Sequence, residues 1–481
     1  MKISVFFLGV MAVVLMLPVL MVSWFFSEPH FFALSMGFVF GVCFLCVLSF
    51  LMHFCIPNVF QFSIGYDCVL LVLIWLGTSL FGSLVFLLYG LDITWVDAFF
   101  ACVSGLTTTG AEVFSNLSVL PHSLLFYRMW LQFLGGLGIV LMAVTAFSSG
   151  GGGVSRGIKF DLPGPVVSYS KKKPKLSDMA GSLWTIYMLA TVLCAVCLRV
   201  LGLDWFEAMC ESFSIVSTGG YNFYADGVNH YHSYGVKLIM MVFMLFGSVN
   251  FLLHYQFFFL REYFGYVKNI EMKSYVMLLF VVVSFFLVVV SFYSMRYDPV
   301  DIVFTVVSMF SSSGFMVTDL SSFPPMLSCV LVFLGVIGGL SGSTSGGIKI
   351  IRLQYCYQEI SDACRLLLHP RLVLSNPAVS VGMSGSSVDA KVVIMRGFIT
   401  AFIGFFLLSI FVLTGLGLGF QDAFFSMCAC FSNTGVFLSD GSAFSSFPAT
   451  VKLWLAFSML LGRIEILAFL VILSPSYWSG R

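Results

Sequence analysis

Charged residues are scarce in this sequence. Only 9% of its 481 residues are Asp, Glu, Lys or Arg, whereas 59% are hydrophobic. A soluble chain of this length needs a polar surface, which so few charges do not supply. The composition therefore excludes an ordinary soluble domain and indicates that lipid is the main solvent.

An excess of charge of one sign is also missing. The formal net charge is +1, so nothing points to nucleic acid as a partner. No span is rich in arginine, which excludes a voltage sensor. No convergent Ser/His set, Asp pair or metal cluster marks the apolar segments, so we expect neither an enzyme nor an organic cofactor.

The 13 cysteines have no regular spacing and lie mostly inside apolar runs, which predicts buried thiols. Cys428 and Cys430 form a C-x-C pair without further ligands. His230 and His232 also lack a third ligand, so a polar loop is the favoured interpretation over a metal site.

Ten apolar segments are each long enough to span a membrane. The first follows Lys2 without an A-x-A cleavage site, so we interpret it as a retained helix and not a signal peptide. The segments are 4–26, 31–53, 66–90, 123–147, 182–203, 233–260, 274–295, 326–351, 392–417 and 449–474.

Basic residues predict the orientation of these spans. They concentrate in 148–181, 261–273 and 352–391, which share one side with Lys2 and Arg481. By the positive-inside rule that side is the cytoplasm, so both termini are expected there. The opposite side carries acids that would modestly concentrate cations or are ordinary loop residues: Glu112, Asp226, Asp319 and Asp440.

Four segments on the outer side form an internal repeat. Each starts at an acidic residue and reaches a glycine 13 residues later. The segments are "DAFFACVSGLTTTG" from Asp97, "EAMCESFSIVSTGG" from Glu207, "DIVFTVVSMFSSSG" from Asp301 and "DAFFSMCACFSNTG" from Asp422. The fourth repeat, which continues as "VFLSDG" after its glycine, is the loosest match.

The apolar part of each segment is about nine residues, or roughly 14 Å of helix, which reaches only halfway through a ~30 Å hydrocarbon core. Re-entrant backbone is tolerated where it lines a cavity. We therefore expect an all-α integral membrane protein with four helix–pore loop–helix repeats around one pore. The expected units are an N-terminal helix pair at 1–60 and repeats at 61–150, 151–262, 263–390 and 391–481.

The residues before the four glycines bring neutral oxygen atoms and no ionised group. A dehydrated alkali cation needs several such oxygens in place of its water, and a ring of carbonyls supplies them. A charged ring would suit divalent cations instead. One Ser/Thr-Gly turn alone is a common loop, but four in register favour a selectivity filter for a large monovalent cation.

The sequence resembles the Trk/Ktr/HKT superfamily of potassium-uptake proteins, and its bacterial TrkH branch most. The resemblance covers nearly the whole chain. It is carried by "SGLTTTG" (104–110), "YRMWLQFLGGLGIVLMAV" (127–144), "PGP" (163–165), "NFLLHY" (250–255), "GGLSGSTSGGIKI" (338–350) and "GRIEIL" (462–467).

This resemblance implies K⁺ as the transported ion, a homodimer with one pore per subunit, and a separate cytosolic ring subunit that binds NAD or ATP. Gly at position 110 is the form associated with potassium, whereas Ser there accompanies sodium transport. A sodium-permeable or sodium-coupled transporter of the same superfamily is therefore the alternative. The implied filter residues are Thr108, Thr109, Gly110, Thr218, Gly219, Gly220, Ser312, Ser313, Gly314, Asn433, Thr434 and Gly435.

A glycine-rich stretch interrupts the span 326–351. It does not fit a phosphate loop, because Ile348 stands where that motif needs lysine and no strand precedes it. A flexible helix break is the plain interpretation, and the resemblance implies a movable gate at 338–350. The implied gating residues are Gly338, Gly339, Gly342, Gly346, Gly347, Lys349 and Arg463.

Arg463 and Glu465 are ionisable residues inside the last apolar span, where such groups usually face a partner or a cavity. Their spacing puts them on different sides of a helix, so we expect other partners for each. The resemblance places Arg463 in the pore below the filter, as a barrier to cations. Lys349 is expected either to reach the inner surface or to join this barrier. Arg128 is expected to anchor at the outer interface or to brace the half-helices.

Overall fold

A computed structural model describes residues 2–29, 31–32, 34–37, 66–90, 93–114, 116–148, 176–293, 297–318, 320–369, 388–436 and 443–475. These residues are helical apart from their connections and contain no named strand. The one exception in this part of the chain is an isolated β-bridge between Ile337 and Ile348.

The main helices, numbered in chain order, are α1 Lys2–Phe25, α2 Tyr66–Leu88, α3 Trp95–Leu106, α4 His122–Ser148, α5 Leu176–Val200, α6 Trp205–Val216, α7 Tyr234–Ser248, α8 Phe251–Phe258, α9 Ile270–Phe292, α10 Pro299–Phe310, α11 Pro325–Val336, α12 Ile350–Leu368, α13 Val388–Gly415, α14 Phe420–Phe431, α15 Ala449–Ile464 and α16 Ile466–Leu473.

Five described helices are long and apolar enough to cross a membrane, and two bent pairs raise that number to seven. Most of the expected span 31–53 lies outside the described residues. The surface of the bundle is apolar, as lipid requires: Val200, Phe292 and Phe411 are among its most exposed side chains. The expected all-α integral membrane fold is confirmed.

Two segments that were expected as continuous spans are sharply bent. The segment 233–260 divides into α7 and α8 with a 96° bend, and 449–474 divides into α15 and α16 with a 104° bend. Asn250 starts α8 by accepting a hydrogen bond from the Leu252 N–H at 2.8 Å. Glu465 adopts a φ of 71°, and its carboxylate pairs with Arg352 at 2.7 Å. Apolar composition alone does not reveal either break.

The four re-entrant segments are helices of equal length. Each of α3, α6, α10 and α14 contains 12 residues, which is about 18 Å of helix, and each holds its acidic residue at the third position. The expected length of nine residues was too short, because the first turn, which holds the acidic residue, is also helical. In α3 this turn is fixed by a capping box, in which Asp97 N–H donates to the Thr94 hydroxyl and Thr94 N–H to the Asp97 carboxylate, both at 3.2 Å.

Each half-helix packs between its flanking spans, and the middle of the bundle is therefore the most buried part. Phe100, Val216 and Phe310 are fully buried in three of the half-helices. The first helix, α1, lies outside this arrangement and packs on α2 and α4. There the Trp130 indole donates to the Val14 carbonyl at 3.0 Å.

Candidate functional site

The four half-helices end in the same backbone turn. At each end one residue is left-handed, and the next N–H donates to the carbonyl five residues earlier, which is the Schellman form of helix end. The left-handed residues are Thr108, Thr218, Ser312 and Asn433, with φ between 51° and 56°. The closing bonds are Thr109 to Ser104 (2.9 Å), Gly219 to Ser214 (2.8 Å), Ser313 to Ser308 (2.9 Å) and Thr434 to Ala429 (3.0 Å).

The glycine that ends each turn touches the next turn. All four glycines have positive φ, between 69° and 81°. A Cβ on any of them would collide with a carbonyl oxygen of the neighbouring repeat, in a closed cycle: Gly110 with Gly219, Gly220 with Ser313, Gly314 with Thr434, and Gly435 with Thr109. The repeats thus meet in a ring, which we call the carbonyl ring, and a side chain at any glycine would displace it.

Most oxygens of the carbonyl ring are free to bind a ligand. Within the described residues, no hydrogen bond is made to the carbonyls of Thr109, Ser313 and Thr434. The fourth carbonyl, of Gly219, accepts one bond from the Gln132 amide at 2.6 Å. A ring of neutral oxygens is a chemically suitable replacement for the water around an alkali cation.

The hydroxyls next to the ring point back into their own turns. Thr109 bonds Thr107 at 2.7 Å, and Ser313 bonds Ser311 at 2.8 Å. Thr434 makes the same contact with Ser432. In these three repeats the hydroxyl is therefore engaged by its own turn, whereas the carbonyl has no hydrogen-bond partner among the described residues.

The side chains of the left-handed residues form a second polar layer. Thr108 Oγ1, Ser312 Oγ and Asn433 Oδ1 are buried and have no hydrogen-bond partner within the described part of the chain. The fourth member, Thr218, contacts the Thr344 hydroxyl at 3.2 Å. Buried oxygens without partners are costly, so this layer suits a cation or water between the repeats.

The glycine-rich segment between α11 and α12 closes against two of the repeats. Its Leu340 N–H donates to the Ser248 carbonyl at 3.0 Å, and its Thr344 N–H to the Gly247 carbonyl at 3.1 Å. On the other side, Gly346 packs so tightly on Ser432 that a Cβ would strike its carbonyl. The Thr344 hydroxyl also lies 3.3 Å from the Val216 carbonyl at the end of α6, so the segment lies at the C-terminal ends of the half-helices of repeats 2 and 4.

The segment is held by bonds at both ends and at its middle. The Gly338 N–H donates to the Ile348 carbonyl at 2.9 Å, which joins the start of the segment to its end. The nearby Gly347 has a φ of 68°. The Gly342 carbonyl accepts from the Phe251 N–H at 3.1 Å, and the Gly339 N–H donates to the Ser345 hydroxyl at 2.9 Å.

Charged side chains also hold this segment. Glu271 of α9 accepts from both the N–H and the hydroxyl of Ser341 at 2.8 Å. Lys349 is half-buried and donates to the Ser345 carbonyl, so its ammonium group binds within the segment itself. Sequence reasoning could not find the Glu271 contact, because the two residues are 70 positions apart.

Arg463 of α15 contacts the same glycine-rich segment. Its side chain is buried, and Nη1 donates to the Thr344 carbonyl at 2.8 Å. Its Nε and Nη2 have no partner among the described residues. Glu465 pairs with Arg352 instead, so the expectation of separate partners for the two residues holds. A cationic group therefore stands beside Thr344, next to the polar layer of the four turns.

Arg128 lies beside the chain that follows the first two turns and is completely buried, which rules out an anchor at the membrane surface. It forms an ion pair with Glu112, and its guanidinium lies 4.4 Å from the centre of the Tyr221 ring. Arg128 therefore braces the chain after the first turn against the chain after the second.

The other residues that were expected on the outer side form no comparable site where the structure describes them. His230 stacks on Tyr224, and the described residues contain no group of three or more His, Cys, Asp or Glu that could hold a metal. Asp226 precedes a short 3₁₀ helix, whereas Asp319 and Asp440 lie outside the described residues. Cys428 and Cys430 are buried in α14.

Besides Glu271, the sequence reasoning missed three residues at this site. Gln132 and Thr344 contact the turns directly, and Lys452 joins the last repeat to the first by pairing with Asp97 at 2.6 Å. A polar glutamine in the middle of an apolar span was a usable signal. The contacts of Thr344 and Lys452 carry no signal in sequence spacing.

Comparison with known proteins agrees with this architecture. The TrkH family, described as "Cation transport protein", matches residues 37–479. The potassium uptake protein TrkH of Halomonas elongata is 34% identical over 411 residues, 84% of each chain. TrkG of Escherichia coli, also a potassium uptake protein, is 30% identical over 96% of this chain and 95% of its own.

The crystal structure of the potassium transporter TrkH from Vibrio parahaemolyticus superimposes with a TM-score of 0.87 at 28% identity. The match covers 99% of this chain and 98% of that one. These similar proteins are membrane cation transporters and not enzymes. The chain belongs to the TrkH family of cation transport proteins.

Proposed function

We propose that this protein takes up potassium across the cytoplasmic membrane through the centre of the carbonyl ring. The observation that carries the proposal is the closed cycle in which each turn glycine abuts a carbonyl oxygen of the next repeat. The relatives TrkH and TrkG, named as potassium uptake proteins, support the same ion. The path for the cation is then formed by the twelve implied filter residues, 108–110, 218–220, 312–314 and 433–435.

The chemistry of the ring favours a large monovalent cation. The four turns contain no ionised side chain, so the attraction comes from carbonyl dipoles and from the partly negative C-terminal ends of four half-helices. Neutral dipoles compensate the modest dehydration cost of potassium, whereas a divalent cation would require carboxylates. The second polar layer of Thr108, Ser312 and Asn433 oxygens would continue the path inward.

The 338–350 segment is the proposed gate. It closes on repeats 2 and 4, with Thr344 bonded to Thr218 and to Arg463. In this position the Arg463 charge would repel cations that have passed the ring. Opening requires these few hydrogen bonds to break while the ring above stays intact.

The assembly and orientation follow from the same proposal. The chain is a multi-pass protein of the cytoplasmic membrane with both termini inside, built as an N-terminal pair (1–60) and four repeats (61–150, 151–262, 263–390 and 391–481). It works as a homodimer in contact with lipid and with a separate cytosolic ring that binds NAD or ATP. The basic residues of segment 148–181 place it on that side by the positive-inside rule.

Uptake of rubidium, potassium and sodium into proteoliposomes tests the proposal, with the native protein compared to Gly110→Ser. Because Gly110 has a φ of 79° and no room for a Cβ, serine would push the Gly219 carbonyl out of the ring. We expect potassium and rubidium to be preferred by the native protein and this preference to be lost in the variant. Equal sodium flux through the native protein would instead support the sodium-permeable alternative.

A further inference from the structure

The second turn is built differently from the other three. Thr109, Ser313 and Thr434 each bond a hydroxyl two residues earlier, but the corresponding residue of repeat 2 is Gly219, which has no side chain. Ser217 therefore lacks that partner and keeps its bond to the Ser214 carbonyl at 3.1 Å, a bond that Ser311 also makes to Ser308. The turn that carries the Gly219 carbonyl thus lacks the hydroxyl–hydroxyl bond that the other three turns have.

Gln132, on α4 of the first repeat, occupies the empty place. Its side chain is fully buried, and a Cβ built on Gly219 would overlap its carboxamide group. Nε2 donates to the Gly219 carbonyl at 2.6 Å, and Oε1 accepts from the Tyr221 N–H at 3.4 Å. A neighbouring span therefore supplies both the volume and the hydrogen bonds that the second turn is missing.

The backbone of α4 is shaped for this contact. Gln132, Gly135 and Gly136 follow one another at the spacing of a single helix face. A Cβ on Gly135 would strike the Leu106 carbonyl, and one on Gly136 would lie 2.9 Å from the Ser217 Cβ. The helix thereby lies directly against the ends of half-helices α3 and α6, which leaves Gln132 little freedom to turn away.

The carbonyl that Gln132 holds is the one that abuts Gly110. A carbonyl oxygen has two lone pairs, so one amide bond fixes its direction and leaves the other lone pair for a cation. We infer that Gln132 is a positioning residue of the carbonyl ring, which fixes the Gly219 carbonyl and thereby contributes to cation selectivity. This inference rests on the proposed function of the ring.

The test is a rescue experiment with Gln132→Ala, Gly219→Ser and the double variant, assayed as the ratio of rubidium to sodium uptake in proteoliposomes. Gln132→Ala removes the bond and leaves a hole, and Gly219→Ser creates a clash with Gln132. The double variant fills the hole with a hydroxyl that can bond Ser217, as Ser313 bonds Ser311. We expect each single variant to lower the ratio roughly two- to tenfold, as loss of one hydrogen bond would, and the double variant to recover it.

Gln132→Met separates positioning from packing, because methionine fills a similar volume without the amide. We expect it to keep the thermal midpoint close to native while the rubidium-to-sodium ratio falls. A native ratio in Gln132→Met, or a double variant no more selective than the worse single one, would overturn the inference.

Gly110→Ser in the same assay distinguishes a failure of the role of Gln132 from a failure of the proposed ring. If it loses selectivity while Gln132→Met does not, only the role of Gln132 fails; if it too stays selective, the proposed ring is wrong.

Discussion

At the residue scale, the turn glycines differ from other left-handed glycines in the atoms that lie beside them. Gly220 has a φ of 81° and faces the Ser313 carbonyl. Gly90 has a φ of 63°, and no atom lies within 4 Å of the position that a Cβ would take there. Alanine at either position carries the same kind of backbone strain, about 1–2 kcal/mol for a left-handed residue. Only Gly220 adds a collision with the proposed ion path.

This difference gives a matched pair of variants. Gly220→Ala is expected to reduce the preference for rubidium over sodium by about tenfold, which corresponds to ~1.4 kcal/mol of differential binding. Gly90→Ala should lower the thermal midpoint but leave the preference unchanged. Uptake by reconstituted protein measures both. An equal loss of selectivity in both variants would show that backbone strain, and not the carbonyl contact, explains the effect at position 220.

Some residues of the candidate site could be predicted from the sequence, and others could not. The glycines and the acids were predictable, because a fixed distance of 13 residues repeats four times. The contacts of Gln132 and Thr344 were not, because each depends on how one repeat packs against another. A hydroxyl or an amide in an apolar span indicates a polar partner without saying which one.

At the scale of elements, several contacts of one residue, Thr344, hold the 338–350 segment in place. The Thr344 hydroxyl lies 3.2 Å from Thr218 Oγ1 and 3.0 Å from the Gly247 carbonyl. Its backbone carbonyl accepts from Arg463. This one residue therefore joins the segment to repeat 2 and to the last span at once.

Thr344→Val keeps the shape of this side chain and removes its hydroxyl. We expect faster uptake with unchanged ion preference, because the closed position of the segment loses bonds while the carbonyl ring is untouched. Thr344→Ser keeps the hydroxyl and should behave like the native protein. Initial rates of rubidium uptake measure the effect. Equal rates in the native protein and both variants would contradict the idea that this hydroxyl holds the segment closed.

Ion pairs join half-helices to the spans of neighbouring repeats. Lys237, in the span of repeat 2, pairs with Asp301 of half-helix α10, and Lys452, in the span of repeat 4, pairs with Asp97 of half-helix α3. The acid is the third residue of its half-helix in both cases. Two of the four acids that mark the repeat in the sequence thus also fasten repeat 3 to repeat 2 and repeat 1 to repeat 4.

Breaking the second of these pairs should be costly. Lys452→Met leaves the poorly exposed Asp97 carboxylate without its cation, so we expect a loss of about 3–5 kcal/mol of stability. The double variant Lys452→Met/Asp97→Asn removes the unpaired charge and should be more stable than the single one. Thermal midpoints of the purified proteins test this order. A single variant as stable as the native protein would mean that the pair does not hold the repeats together.

Element boundaries were predictable where the signal was local. The half-helices follow from their acids and glycines, and the break at 338–350 follows from its glycines. The bends after α7 and α15 were not foreseen, since they depend on a cap at Asn250 and on a distant partner of Glu465. Apolar composition continues through both bends, so hydropathy indicates one span where the structure has two helices.

At the scale of the molecule, the ring is closed by residues far apart in the chain. The Asn433 amide donates to the Thr109 hydroxyl at 3.0 Å, and Gly435 packs on the Thr109 carbonyl. These contacts join positions 324 residues apart or more. A sequence can show that four units are alike, but their cyclic order and the contacts between first and last come from packing.

The fold class and the membrane location follow from composition and from the repeat. The apolar exterior and the buried polar turns reverse the arrangement of a soluble protein, as lipid demands. Among the described residues, large apolar side chains face outward along the long spans, whereas Ser, Thr and Asn of the turns are buried. A polar centre inside an apolar shell is the arrangement that a path for a small cation requires.

The most direct test of the proposed function is to locate the ion. Crystals of the protein grown in a rubidium or thallium salt would show these potassium substitutes by anomalous scattering. We predict the strongest peak on the common axis of the four turns, in contact with the carbonyls of Thr109, Gly219, Ser313 and Thr434. An empty ring in such crystals, with ordered ions bound elsewhere in the membrane region, would contradict the claim that this ring selects the cation.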